Sequence, residues 1–433
     1  MNVQQIGRRI AIRFLAGAVV IAGLCSRLYA DPKEAPSAAS PGGAQAPPNA
    51  PAGQAPPPEQ VPTEQAAAAA WLEKAFDGQP MPESVQMLVA IARGSQMGPG
   101  EGWFGPGQSR YDWKWLAGMA GAEATAEIAP EQLHGPKEFF DRLDRNRDGR
   151  ISASDLDWSD RNPYVQQFYL VSRIMRRMNA KGDGRLTRDE VLAFFDRAAS
   201  GREFATSADL AETLLAGFGS APGANDGPTA DTLVRGLFRG EIGSLNSGPA
   251  LNATAPDFSL KTQDGKQTIR LGELRGEKPT VLVFGNFTCG PFRSTYPLVD
   301  ELCKRYQDRA NFLAVYVREA HPTNGWRMES NDAAGVELAQ PATYDERVAV
   351  AQRCQAKLNY SMPLVVDEIN DPVGNAYSGM PARLYLIDSD GKVAYKSGRG
   401  PFGFKPRELE QALVMLLLEQ QFKSAAPIAE TTE

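Results

Sequence analysis

The 433-residue chain predicts a multidomain protein, an all-α domain followed by an α/β domain. Three observations carry this. Ten of the 32 prolines fall between Pro32 and Pro62 among Ala, Gly and Gln, which marks a tether ahead of the folded part. Two twelve-residue polar loops, starting at Asp144 and Asn179, sit between helical patterns. From Ala255 onward, apolar strands alternate with helices.

Taken in order, residues 1–30 read as a signal peptide. Arg8, Arg9 and Arg13 precede an apolar run, Phe14 to Leu24, too short for a comfortable membrane span. "SRLYAD" then offers a small-residue cleavage point after Ala30, so export to the periplasm or the medium is expected. The alternative is a short anchor, and an uncleaved segment is the only membrane contact expected. Removing residues 1–30 takes away four arginines and no acid, moving the formal net charge from −6 to −10. A chain this acidic is not expected to bind nucleic acid. Cys289, Cys303 and Cys354 remain, an odd number, so at least one thiol is unpaired in an exported protein. His134 and His321 are too few for a His-rich metal centre.

Residues 31–70 read as a disordered Pro/Ala-rich linker and 71–250 as a helical domain. Within it, "PESVQMLVAIA" predicts an amphipathic helix, and "GPGEGWFGPGQSRYDWKWL" an irregular loop packed by its own aromatics. "GFGSAPGANDGPTA" is a second breaker-rich stretch.

"DRNRDGRISASD", Asp144 to Asp155, has the spacing of a calcium loop. Asp144, Asn146 and Asp148 supply side-chain oxygens, Gly149 the sharp turn, and Arg150 a backbone carbonyl. Ser152 reaches the ion through water. Asp155 stands at the twelfth position, one methylene shorter than Glu, which weakens Ca2+ binding and narrows the preference over Mg2+. Phe139, Phe140 and Leu143 form the apolar face of the preceding helix. "NAKGDGRLTRDE", Asn179 to Glu190, repeats the pattern with Asn179, Asp183, Arg185, Thr187 and Glu190 at ligand positions. Lys181 stands at the third ligand position, so this loop is expected to be weak or metal-free. Ile151 and Leu186 occupy the eighth positions, where paired loops meet in a short β-bridge. The pairing resembles the EF-hand family over residues 136–197.

Residues 251–422 form the second domain, with 423–433 as a tail. "ATAPDFSLKTQDGKQTIRLGELRGEKPTVLVFGNFTCGPF" resembles the opening of the thioredoxin-like redoxins, with a hairpin, a strand over 281–286 and a turn into a helix. The implied fold class is an all-α EF-hand domain followed by an α/β thioredoxin-like domain. Cys289 falls at the helix N-terminus, where N–H groups and the macrodipole favour thiolate. Phe292 stands where a thioredoxin keeps its second cysteine. "SGMPARLYLIDSDGKVAYKSG" predicts a hairpin turning at Asp390–Gly391, and the resemblance implies a cis Met380–Pro381 facing Cys289.

"NFTCGPF", "FLAVYVREAHPTNGW" and "MPARLYLIDSDGKVAYKSGRGPFGFKPRELEQAL" together resemble the iodothyronine deiodinases over about residues 255–420. The resemblance implies Cys289 as nucleophile in place of selenocysteine. It also implies site roles for Glu319, His321 and Pro381. His321 would hold a proton for the departing group or stabilise the thiolate. The family's second histidine has no counterpart in "VELAQPATYDER", and Phe287 replaces its cysteine before the nucleophile.

Cys303 lies 14 residues down the same helix, about 21 Å from Cys289 at 1.5 Å per residue. A disulfide needs Cα atoms within about 7 Å. Cys289 is therefore expected to work alone, recycled by an external thiol reductant, on a small-molecule or protein thiol or halide substrate. A one-cysteine peroxidase is the first alternative, although peroxiredoxins place Thr three residues before the cysteine and Asn286 stands there. A non-enzymatic calcium-responsive binding module is the second.

Overall fold

In the computed structural model, which describes residues 63–95, 107–123, 126–215 and 229–425, the chain enters as two packed helices, α1 (Thr63–Ala75) and α2 (Glu83–Ala92). The export segment and most of the linker lie outside the described residues. Helix α1 starts ahead of the expected linker boundary at residue 70, because the alanine run Ala66–Ala70 has high helix propensity. The segment expected to be an irregular loop is ordered where it is described. Strand β1 (Gln108–Ser109) is followed by helix α3 (Trp113–Met119), N-capped by Asp112, whose carboxylate accepts from the Trp115 N–H at 2.8 Å. Tyr111 and Trp115 do stack edge to face, 4.7 Å apart.

Helices α4 (Lys137–Leu143), α5 (Ala153–Leu156), α6 (Pro163–Met178) and α7 (Arg188–Ala199) flank the two polar loops. The expected bridge between Ile151 and Leu186 is not formed. Ile151 pairs with Ile128 instead, because the strand edge of the first loop meets the chain that enters α4. Helices α8 (Ser207–Leu215) and α9 (Ala230–Phe238) complete this half.

The α/β half opens with the hairpin β2 (Ser259–Lys261) and β3 (Thr268–Arg270). Then come β4 (Thr280–Gly285), α10 (Gly290–Tyr306), β5 (Asn311–Tyr316), α11 (Glu329–Ala333), α12 (Tyr344–Leu358), β6 (Leu364–Val366) and α13 (Pro372–Tyr377). Strands β7 (Arg383–Ile387) and β8 (Val393–Lys396) and helix α14 (Pro406–Ala425) close the fold. The sheet order is β1-β8-β7-β4-β5-β6. Strands β4, β5 and β6 run parallel, and the β7–β8 hairpin adds antiparallel to β4. The order β8-β7-β4-β5 with these directions is thioredoxin-like. "TVLVFG" is buried at every position, as a central strand covered on both faces must be.

The main core runs without a break from Phe139, Phe140, Leu143 and Ile151 into the strands and α14. A smaller cluster joins α2 and α9 through Met87, Ile91, Leu233 and Leu237, with Trp326 and Phe402 packed against it. Glu83 ties α2 to the sheet, 2.9 Å from Arg383, 3.2 Å from Lys396 and 2.9 Å from Arg399. Burial pushes the Glu83 carboxyl up, but the three cations together hold it at about 2.

Candidate active site

Strand β4 ends at Gly285, where the Phe292 ring lies so close that any Cβ would collide with it. The turn Asn286-Phe287-Thr288 then delivers Cys289 as the N-cap of α10, with Pro291 in its first turn. A thiol at this point sits beside orphan N–H groups of the helix start. Phe292 fills the second-cysteine place and meets Phe404 edge to face, 5.7 Å between centroids.

Asn286 organises the turn. Its Oδ1 accepts from the Cys289 N–H at 3.0 Å and the Ala320 N–H at 3.3 Å. Its Nδ2 donates to the Pro381 carbonyl at 2.9 Å. Met380–Pro381 is cis, as expected, and one side chain links it to the Cys289 backbone. On the other side Glu319 accepts from the Thr288 N–H at 2.9 Å, from the Thr288 hydroxyl at 2.7 Å, and from the Tyr316 hydroxyl. The Thr288 hydroxyl in turn accepts from the His321 N–H at 3.0 Å. The four residues expected at the site are therefore gathered at one edge of the sheet.

Two electrostatic expectations are corrected. The helix start was expected to favour the Cys289 thiolate. Cys289 is only 1% exposed, and burial pushes its thiol up to about 11 against the pull of the Phe292 N–H and the Arg293 guanidinium. The thiol is thus buried and neutral at pH 7. His321 was expected to carry a proton for the departing group or support the thiolate. Burial drives it down to about 4, so the ring is neutral at pH 7. Its Nδ1 lies 3.1 Å from the Trp326 carbonyl, an acceptor, which puts the ring proton there and leaves Nε2 as a lone-pair base. Burial likewise raises Glu319, although Tyr316 and Thr288 donate to it. Cys303 and Cys354 are free, buried and raised by burial.

The polar loops close on themselves by short-range bonds. In the first, Asp144 accepts from the Asp148 and Gly149 N–H groups at 3.2 and 2.9 Å. Asp155 accepts from the N–H groups of Arg145, Asn146 and Ser152 at 3.1, 3.2 and 2.9 Å. Asn146 donates to Asp148 at 2.7 Å, while Arg150 and Ser152 follow Gly149, which has φ +84°. Asp144 and Asp155 are thus buried acids whose oxygens accept from the loop's own N–H groups, and this donor chemistry suits a hard cation. Among the described residues no three Asp, Glu, His or Cys side chains converge on one point. In the second loop the Asn179 amide donates to Asp183 at 3.1 Å and to the Arg185 carbonyl at 2.7 Å. It bridges two ligand positions as an ion would. Glu190 caps Thr187 at 2.9 Å and accepts from the Lys181 N–H at 3.1 Å. Gly184, with φ +76°, lies against the Ser294 carbonyl of α10, where no side chain fits.

Sequence reasoning missed Tyr316, Arg293 and Asn331 at the site. Asn331 of α11 donates to the Thr288 carbonyl at 2.9 Å and accepts from Arg293 at 2.9 Å. The spacing of Arg293, one turn after Cys289, was the available signal.

A protein-family model described as iodothyronine deiodinase matches residues 234–417. Thyroxine 5-deiodinase of Gallus gallus is 31% identical over 205 residues, covering 44% of this chain and 78% of the relative. That of Sparus aurata is 30% identical over 181 residues, 42% of this chain and 66% of the relative. Type I iodothyronine deiodinase of Xenopus laevis is 32% identical over 136 residues, and the chain spans only 52% of its length. Among solved structures, a putative thiol:disulfide interchange protein DsbE from Chlorobium tepidum is 21% identical, covering 39% of this chain and 98% of its own, with a TM-score of 0.29.

Proposed function

The chain belongs to the iodothyronine deiodinase family, and we propose that it is a thiol-dependent reductase with Cys289 as nucleophile. The observation that carries the proposal is Cys289 at the start of α10, tied through Asn286 to the cis Met380–Pro381 peptide. The thiolate attacks the halogen of an aryl halide. The S–halogen bond forms, the carbon–halogen bond breaks, and its electron pair stays on carbon, which takes a proton. The thiol gives up its proton as it ionises and that carbon takes one from the external thiol, while His321 stays neutral and acts as a hydrogen-bonding group rather than as the proton carrier. An external thiol then attacks the Cys289 sulfur and expels halide, leaving a mixed disulfide. A second external thiol releases the reduced enzyme. The balance is aryl halide plus two thiols to arene, disulfide and hydrogen halide. A disulfide substrate reacts by the same attack on sulfur.

The same reading includes calcium in the first loop, held by Asp144, Asn146, Asp148, Asp155, the Arg150 carbonyl and Ser152 through water. The second loop serves as its metal-free partner, a role the Asn179 amide supports. It also includes export directed by residues 1–30. Among the described residues no helix is long and apolar enough to cross a membrane.

Purified protein is assayed with a thiol reductant against iodinated phenols, disulfides and peroxides, alongside Cys289→Ser. Dehalogenation or disulfide reduction lost in the variant supports the reading. Turnover of peroxide alone reassigns the site to a one-cysteine peroxidase, and activity surviving Cys289→Ser removes the thiol from the reaction.

A further inference from the structure

Among the described residues four arginines are buried in the core: Arg293, Arg347, Arg383 and Arg399. Three of them have a carboxylate. Arg347 lies 2.7 Å from Asp371, while Arg383 and Arg399 share Glu83 at 2.9 Å. Arg293 makes no ion pair among the described residues. Its Nη1 donates to the Phe287 carbonyl at 2.5 Å and its Nη2 to Asn331 at 2.9 Å, while its buried Nε has no partner. A guanidinium stays charged even when dehydrated, so burying one without a counter-ion is costly. Such an arrangement is tolerable where a working state supplies the anion. Arg293 sits one helical turn after Cys289, on the same side of α10, and lies back along the turn that presents the thiol.

We propose that Arg293 is the counter-ion of the Cys289 thiolate and that Asn331 is the residue that positions it. Asn331 spans the two parts, receiving Arg293 at Oδ1 and donating from Nδ2 to the Thr288 carbonyl, next to Cys289. The other titratable groups facing Arg293 are Glu319 and Tyr316 from the β5 end, Cys354 from α12, and His321. Glu319 is committed to Thr288 and Tyr316, the tyrosine and Cys354 are neutral, and His321 is neutral above about pH 4. Cys289 is thus the group whose ionisation would pair the guanidinium. This rests on Cys289 as the reacting thiol and is independent of its substrate.

The test is the rate of iodoacetamide modification of Cys289 in the full chain from pH 6 to 11, followed by peptide mass spectrometry. Arg293→Met is expected to raise the apparent midpoint by about one unit, read as roughly tenfold slower labelling at every pH below the midpoint. Arg293→Lys should restore at least half of that shift, and Asn331→Ala should move it less in the same direction. An Arg293→Met profile that superposes on the wild type overturns the proposal. So does a loss of rate in Arg293→Met that Arg293→Lys leaves wholly unrestored, which reports altered access alone. Should Arg293→Met fail to fold, an unchanged midpoint in both Arg293→Gln and Asn331→Ala is decisive against it. If the reductase reading fails, turnover is absent while the Arg293 dependence of labelling persists, so the two failures are told apart.

Discussion

The Cys289 centre and the Asp144–Asp155 loop are both turns that feed a helix, and they are held in opposite ways. In the loop every side-chain partner of Asp144 and Asp155 lies within ten residues. At the thiol the decisive bonds come from Ala320, Pro381 and Glu319, 31 to 95 residues away. The loop is an autonomous piece of backbone chemistry. The thiol centre exists only when β4, β5 and the cis-proline turn are already assembled. Damage to the first should stay local, whereas damage to the second should spread through the sheet.

Asn286→Ala gives the largest contrast. It strips a fully buried amide from the Cys289 and Ala320 N–H groups and from the Pro381 carbonyl. Each buried group left unpaired costs about 1–3 kcal/mol, so a loss of about 3 kcal/mol or more is expected in urea unfolding, with turnover abolished. Asp144→Ala without added calcium should cost about 1 kcal/mol or less. Equal losses from the two would erase the distinction between local and assembled sites.

The two polar loops sharpen it further. Each lies between two helices, α4 and α5 for the first and α6 and α7 for the second, but the Asn179 amide fills the second loop where the first offers Asp144. Calorimetry should find calcium bound at least tenfold tighter by the first loop, about 1.4 kcal/mol. Asp144→Ala should remove that binding and Glu190→Ala should leave it nearly intact. Similar losses from both variants would show that the loops share the ion equally.

This division also explains what could be read from sequence. The polar loops, the helix start at Cys289 and the hairpin at Asp390–Gly391 depend on local spacing, and the structure has those elements in place. The β1 strand at Gln108–Ser109 was hidden, since it exists only because β8 offers it an edge at Lys396 and Tyr395. The Ile128–Ile151 bridge was hidden for the same reason. Arg293 was visible as a letter, but its missing carboxylate is a property of the packed core. The thiol was misjudged because a helix N-terminus is local and burial is not. The local term favoured thiolate, and the dehydration supplied by the surrounding sheet outweighed it.

A pH-dependent effect probes that same burial through His321. Its folded value is about 4, below the 6.5 of an exposed histidine. Between these pH values the unfolded chain binds more protons than the folded one, so stability rises with pH across the window. The contribution is complete above pH 6.5 and is lost as pH falls towards 4. A full unit of difference is worth about 1.4 kcal/mol, and the ring keeps some solvent contact, so about 1–2 kcal/mol over the window is a reasonable size. Urea midpoints from pH 4 to 7 should therefore fall less steeply towards acid in His321→Asn than in the wild type. The variant retains a donor for the Trp326 carbonyl, which separates loss of titration from loss of that hydrogen bond. An NMR titration should show the His321 ring still neutral at pH 5.5. A ring that protonates near pH 6.5, with parallel stability profiles for the two proteins, would mean that His321 is hydrated and that the centre is more open than its hydrogen bonds imply.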